Sequence, residues 1–243
     1  MATFHSFWQG GRVRGTNSSD RIYGFWGDDR LWGNSGDDYM SGRSGDDRMY
    51  GGQGDDRMYG GSGNDWMSGG SGYDKLYGGT GNDIMYGGGG DDYLSGGGGD
   101  DYLQGDSGND RMHGGTGHDT LIGGSGEDRL YGGSGRDYLS GGSGRDYLSG
   151  GTGDDRLKGG TGYDFLHGGS GRDTFILSEG DGVDTIKDFK SGVDRIEIGS
   201  GITNLRIVSS VSGQLARLYE GSDLLAVVHG ADNQLVQDGN FLV

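Results

Sequence analysis

Eighteen aspartates stand nine residues apart without a miss: Asp20, Asp29, Asp38, Asp47, Asp56, Asp65, Asp74, Asp83, Asp92, Asp101, Asp110, Asp119, Asp128, Asp137, Asp146, Asp155, Asp164 and Asp173. A carboxylate offers hard oxygens, and an evenly spaced row of them is the material of a cation site. Nine residues are too few to close around one inward side chain, but two such units facing each other make an eighteen-residue coil. Asp38, Asp56 and Asp74 would then stack in one column about one strand spacing, 4.8 Å, apart. Bare carboxylates at that distance repel by about 0.9 kcal/mol in water and about 3.5 kcal/mol at an effective dielectric of 20. A cation between coils removes the repulsion. Calcium takes six to eight oxygens at about 2.3–2.6 Å and can collect a carboxylate from each coil together with loop carbonyls. Magnesium demands a tighter octahedron and keeps its water, and zinc prefers nitrogen and sulfur. The chain has no cysteine and only five scattered histidines. Two columns of nine loops leave about 16 gaps for calcium if every one fills.

The element that positions these aspartates is a nonapeptide, Gly-Gly-x-Gly-x-Asp-x-U-x, repeated from Gly15 to Ile176 with no insertion. Gly60-Gly61-Ser62-Gly63-Asn64-Asp65-Trp66-Met67-Ser68 is typical. Position eight, U, is apolar in every unit from Ile22 to Phe175. The triplet x-U-x alternates out, in, out, which is a strand pattern, and the glycine-rich hexapeptide reverses the chain. The expected fold is all-β, with odd and even units forming two parallel sheets and nine coils making a roll of roughly 43 Å. One buried side chain per nine residues does not offset the ordering of nine backbone residues. The composition agrees: 61 glycines, no proline, 30% hydrophobic residues and a net charge of −17 describe a disordered chain unless something neutralises it. Without cysteine there is no disulfide framework. Three regions are expected: an N-terminal cap over 1–14, the roll over 15–176, and a C-terminal region over 177–243.

This array resembles the RTX (repeats-in-toxin) repeats of serralysin-type proteases, type I-secreted lipases, alginate epimerases, cytolysins and short secreted proteins. The resemblance implies a right-handed parallel β-roll in which the position-six aspartate and loop carbonyls coordinate calcium. It carries that role to the eighteen aspartates and to loop glycines such as Gly51, Gly52, Gly54, Gly60, Gly61, Gly63, Gly69, Gly70 and Gly72. The pattern departs from the family at Thr16 and Ser18 in unit one, at Phe25, Asn34 and Arg43 in units two to four, and at Asp106 in unit eleven. The first coil is therefore expected to bind weakly or to act as a cap. Gly182-Val183-Asp184-Thr185-Ile186 and Gly192-Val193-Asp194-Arg195-Ile196 resemble the segment that closes such rolls. The ending Asp238-Gly239-Asn240-Phe241-Leu242-Val243 resembles an uncleaved type I secretion signal. Residues Met1 to Arg14 show no Sec-type signal, and no stretch is apolar enough to span a membrane. The expectation is export by type I machinery to the cell exterior and folding there on calcium.

Outward positions seven and nine are rich in Arg and Tyr, as in Arg48/Tyr50 and Arg57/Tyr59. One reading is cation–π stacking that shields the sheets. The other is a binding face: about 16 calcium ions would turn the acidic chain into a rod of about +15. Such a rod suits an anionic surface polysaccharide or lipopolysaccharide, or assembly with its own copies, and no motif points to specific nucleic-acid binding. No His-Glu-x-x-His or Gly-x-Ser-x-Gly motif occurs, so no enzyme is expected. A surface or matrix scaffold is the leading reading, ahead of a membrane-active protein or the carrier region of a larger exoprotein.

Overall fold

The computed structural model describes residues 1–5, 10–178, 180–199, 202, 205–209, 215–220, 222–230, 237–238 and 241–242. Among them every regular element is a β-strand, gathered into one sheet of fourteen strands and one of thirteen. Strands of odd units alternate with strands of even units between the two sheets. Each pairs in parallel with the strand eighteen residues on, as in Arg57↔Lys75, Met58↔Leu76 and Tyr59↔Tyr77. The inward side chains at position eight, Ile22 to Phe175, are all fully buried and form a single spine between the sheets.

The strands are longer than the three-residue x-U-x expected from the pattern. Arg57–Ser62 is typical: six residues, with Met58 and Gly60 facing in, and with pairing resumed at Gly61↔Gly79 and Ser62↔Thr80. The hexapeptide is thus half strand, and only positions four to six make the turn. Extended glycines carry no side chain by which alternation could announce them.

Position two lies at positive φ, 123° at Gly61, where a Cβ would also overlap the Arg43 carbonyl oxygen. Five units put another residue in this position, and all but Thr16 keep the positive φ: Phe25 (φ 108°), Asn34 (80°), Arg43 (79°) and Asp106 (73°). That backbone is costly for a side chain. Two of them recover part of the cost locally: Asn34 Nδ2 donates to the Gly15 carbonyl at 2.8 Å, and the Arg43 guanidinium lies 4.2 Å over the Phe25 ring.

The roll runs past both ends of the nonapeptide array. Thr3–His5 and Arg12–Arg14 head the two sheets, with Phe4↔Ile22 and Val13↔Leu31 in the register of the spine. At the other end Asp184–Ile186 pairs with Phe165–Ser170, and Arg195–Ile198 with Thr174–Leu177. Ile186 and Ile196 are fully buried. The segment expected to cap the last coil therefore adds another one. The capping falls to the strands beyond: Asp223–His229 joins Asp184–Ile186 in parallel, Leu215–Glu220 and Leu205–Ser209 follow antiparallel, and Phe241–Leu242 closes on Arg195–Ile198. Of the terminal hexapeptide read as a secretion signal, Gly239, Asn240 and Val243 lie outside the described residues.

Candidate metal centre

Parallel pairing at a constant shift of eighteen stacks the position-six aspartates into two columns, one per edge of the roll. Each is buried, with at most 3% of its surface exposed. Within a column the main-chain N–H of one aspartate donates to Oδ1 of the next, from Asp20→Asp38 through Asp155→Asp173, at 2.7–3.1 Å. One carboxylate oxygen is thereby satisfied. The other, Oδ2, is buried without any hydrogen-bond partner in all sixteen aspartates from Asp38 to Asp173. A buried unpaired carboxylate oxygen is expensive and calls for a cation or a proton.

The orphaned oxygens face a defined space. A Cβ built at Gly60, in position one, would overlap Asp65 Oδ2 and would stand 2.7 Å from the Gly78 carbonyl oxygen of the next coil. Gly51 and Gly69 face Asp56 and Asp74 in the same way. Position one is glycine because these oxygens converge where a side chain would be. Gly52, Gly61 and Gly70 lie in the paired strands, while Gly54, Gly63 and Gly72 open the turns with their N–H bonded to a carbonyl of the following coil. Among the described residues no three His, Cys, Asp or Glu side chains converge on one point. An ion here must complete its shell with main-chain oxygen. An all-oxygen set of carboxylate and carbonyl, with no nitrogen or sulfur, fits calcium.

The electrostatics point the same way. Burial, opposed by the main-chain N–H and reinforced by neighbouring carboxylates, pushes Asp56, Asp65 and Asp92 up to about 8. The same causes bring Asp47, Asp101, Asp119, Asp128, Asp146 and Asp155 to about 7. Asp38, Asp74, Asp83, Asp110 and Asp173 reach about 6. Ionised columns without a counter-charge are thus unfavourable near neutrality.

Asp20 is the exception. Its Oδ2 accepts the main-chain N–H and the hydroxyl of Thr16, at 2.7 and 2.8 Å, and its Oδ1 accepts the Ala2 N–H at 2.9 Å. Burial alone would raise its pKa, yet these hydrogen bonds hold it below the usual carboxylate range. Thr16, one of the departures from the repeat, supplies the donors that elsewhere are missing.

Three features escaped the sequence. Asp184 and Asp194 extend the two columns, and Asp173 N–H donates to Asp194 Oδ1 at 3.0 Å. The Gly-x-Asp-x-Ile spacing around each could have revealed them. Position five carries a second relay in which Oδ1 of one coil accepts the N–H of the next, as in Asp46→Asp28, Asn64→Asp46 and Asn82→Asn64 at 2.7–3.0 Å. It runs opposite in sense to the position-six relay. Lys190, finally, donates its ammonium to the Gly169 carbonyl oxygen beside Asp173 and Asp194.

The outer faces also differ from a simple Arg–Tyr alternation. On one face nine rings run unbroken from His5 through Tyr23, Tyr39, Tyr59, Tyr77, Tyr93, His113 and Tyr131 to Tyr147, with centroids 4.7–5.9 Å apart. On the other the stack runs only from Trp32 to Tyr102. Cation–π contacts are fewer, among them Arg14 over Trp32 and Arg111 over Tyr131.

Comparison with known proteins gives the same reading. No curated protein sequence matches the chain. Among solved structures, the extracellular lipase LipA from Serratia marcescens is similar over 96% of this chain and 40% of that one, at 16% identity and a TM-score of 0.30. The chain spans less than half the length of that lipase, and so loose a superposition carries no argument. The family described as RTX calcium-binding nonapeptide repeat (4 copies) matches residues 10–40, 32–67, 41–76, 59–94, 77–112, 86–121, 113–148 and 149–184, which together cover 10–184 without a gap. In that family the repeat is a calcium-binding unit of proteins secreted by type I systems. The chain belongs to the RTX calcium-binding nonapeptide-repeat family.

Proposed function

We propose that this chain is a secreted rod that folds on extracellular calcium and serves as a cell-surface or matrix scaffold binding anionic polysaccharide. The sixteen buried, unpartnered Oδ2 atoms from Asp38 to Asp173 carry the first half of this reading. The position-six aspartates from Asp29 to Asp173 would hold calcium with carbonyls of the glycine turns, and the ion would supply the charge that burial otherwise forbids. Where calcium is scarce, repulsion and glycine entropy keep the chain open. At the roughly 10⁻⁴–10⁻³ M affinities of extracellular modules it closes.

The second half is supported by the surface. Arg12, Arg30 and Arg48 stand in register on adjacent strands, and among the described residues none forms an ion pair. They line a cleft of about 640 Å³ with Asp28, Asp46 and Trp66. Filled columns would make the rod cationic, so this row would draw polyanions. The nine-ring stack stiffens the opposite face. Among the described residues no helix is long and apolar enough to cross a membrane.

Retention of the folded protein on an immobilised uronate polysaccharide tests this function. Binding at millimolar calcium, weakened by the triple change Arg12→Gln, Arg30→Gln, Arg48→Gln, is expected. Equal retention of wild type and triple variant would remove the polysaccharide from the reading. Growth of light scattering without retention would point to assembly of copies, and dye leakage from liposomes to membrane activity.

A further inference from the structure

The two columns end differently at the C-terminus. On one, Asp173 is followed by Asp194, whose two oxygens are both satisfied within the chain, while Asp173 Oδ2 is not. Asp194 Oδ1 accepts the Asp173 N–H at 3.0 Å and its Oδ2 the Lys190 N–H at 2.8 Å. Asp188 accepts the N–H groups of Gly168 and Gly169 at 2.9 and 2.7 Å. The Lys190 ammonium, on the Gly169 carbonyl oxygen, places a positive charge among these carboxylates.

On the other column Asp164 is followed by Asp184, and nothing comparable is present. Asp184 is 1% exposed, and although the Asp164 N–H lies close enough to act on its carboxylate, neither oxygen is held in a hydrogen bond. Asp164, 1% exposed, keeps an unpartnered Oδ2, and the two carboxylates are within hydrogen-bonding reach of each other. Asp181 adds a third negative charge nearby, its own Oδ2 engaged by the Ser178 N–H at 2.8 Å and its charge faced by Lys158, which does not act on Asp164 or Asp184. Among the described residues no lysine or arginine bonds to Asp164 or Asp184. Two buried carboxylates in contact without a counter-charge are not stable as ions.

We infer that Asp164 and Asp184 form a divalent-cation site outside the nonapeptide array, whose ion does at one column end what Lys190 does at the other. This rests on the calcium reading above and adds a consequence. Asp184 opens the strand Asp184–Ile186, whose free edge carries Asp223–His229 through Asp184↔Ala226, Thr185↔Val227 and Ile186↔Val228. The antiparallel strand Leu215–Glu220 is built on that one. Docking of the C-terminal strands on this sheet therefore depends on this ion, whereas the strand Arg195–Ile198 of the other sheet has a lysine at its column end once the roll has folded.

Two variants of the full chain test the site: Asp184→Asn, which removes a ligand charge, and Asp184→Lys, which gives this end the ammonium that the other end has. Bound calcium is counted by equilibrium dialysis, and amide hydrogen exchange is followed over Asp223–His229. At millimolar calcium, where the roll is folded, wild type should exchange over this segment at least about tenfold more slowly than Asp184→Asn. Asp184→Asn should bind fewer ions while the roll keeps its β signal. Asp184→Lys should bind fewer ions than wild type yet protect the segment as well as wild type does at millimolar calcium. If both variants bind as many ions as wild type, the site does not exist and the pair merely shares a proton. If wild type itself binds no calcium, the broader calcium reading fails with it. Should Asp184→Asn not fold, the ion count and exchange of Asp184→Lys decide alone.

Discussion

Asp20 and Asp65 occupy the same position of the same repeat and sit in opposite circumstances. Asp20 has donors on both oxygens, two of them from Thr16, and its pKa is held low. Asp65 has one oxygen satisfied by the Asp47 N–H, the other buried without a partner, and burial pushes it up to about 8. The difference is one residue at position two. Where the chain provides its own donors the coil end needs no ion, and where position two is glycine the carboxylate is left for one. Lys190 repeats the lesson at the far end with a charge in place of a hydroxyl. On the proposed reading the interior needs cations, Asp20 and Lys190 mark two column ends where the chain supplies a substitute, and the Asp164–Asp184 end has none.

The largest effect that would sharpen this contrast is steric. Gly60→Ala places a methyl against Asp65 Oδ2 and the Gly78 carbonyl, and overpacking of this kind costs about 1–3 kcal/mol, with loss of the adjoining calcium added. Gly15→Ala meets Asp20 Oδ2 at 3.0 Å and Gly33 O at 2.8 Å, a looser fit, so its thermal midpoint in calcium should fall less. Equal losses would break the contrast.

Next comes charge. Asp65→Asn should reduce the number of bound ions and raise the calcium midpoint, whereas Asp20→Asn should leave the number unchanged, both by equilibrium dialysis. If Asp20→Asn removes an ion, the hydroxyl of Thr16 does not exclude the metal. Conversely, Thr16→Gly removes the hydroxyl from Asp20 Oδ2, leaving it only the main-chain N–H of residue 16, and should add binding capacity at the N-terminal coil.

The pH dependence is smaller and separates the two kinds of aspartate. In the cation-free roll the interior carboxylates are raised to about 6–8, so the folded chain holds more protons than the unfolded one between about pH 4 and 8. The destabilisation is absent below the ordinary carboxylate pKa, grows as pH rises, and is complete above about 8. Calcium must displace these protons, so its midpoint should rise as pH is lowered from 8 to 5. Asp20, depressed instead, should contribute stability that is lost only as pH falls through its folded pKa. A calcium midpoint independent of pH over that range would contradict the raised values.

Much of this was legible in the residues. Positions six and eight could be read because nothing interrupts the nine-residue count, and parallel coils convert a fixed count into columns. Strand length could not be read, since Gly60 and Gly61 extend the ladder with no side chain to mark a face. The added coil was hidden because twenty residues separate Asp164 from Asp184 and twenty-one separate Asp173 from Asp194, so the period fails while the pairing survives. The capping of Asp20 was visible only as a departure at Thr16. What that departure does depends on a hydrogen bond within the turn, which composition does not display.

The central claim is that cations, not the apolar spine, close this roll. Circular dichroism of the whole chain during a calcium titration tests it most directly, with magnesium at the same concentrations as control. A cooperative coil-to-β transition near millimolar calcium and none with magnesium is the predicted result. A chain already β-structured in chelator at neutral pH would contradict it, and would mean that the buried aspartates are accommodated without an ion.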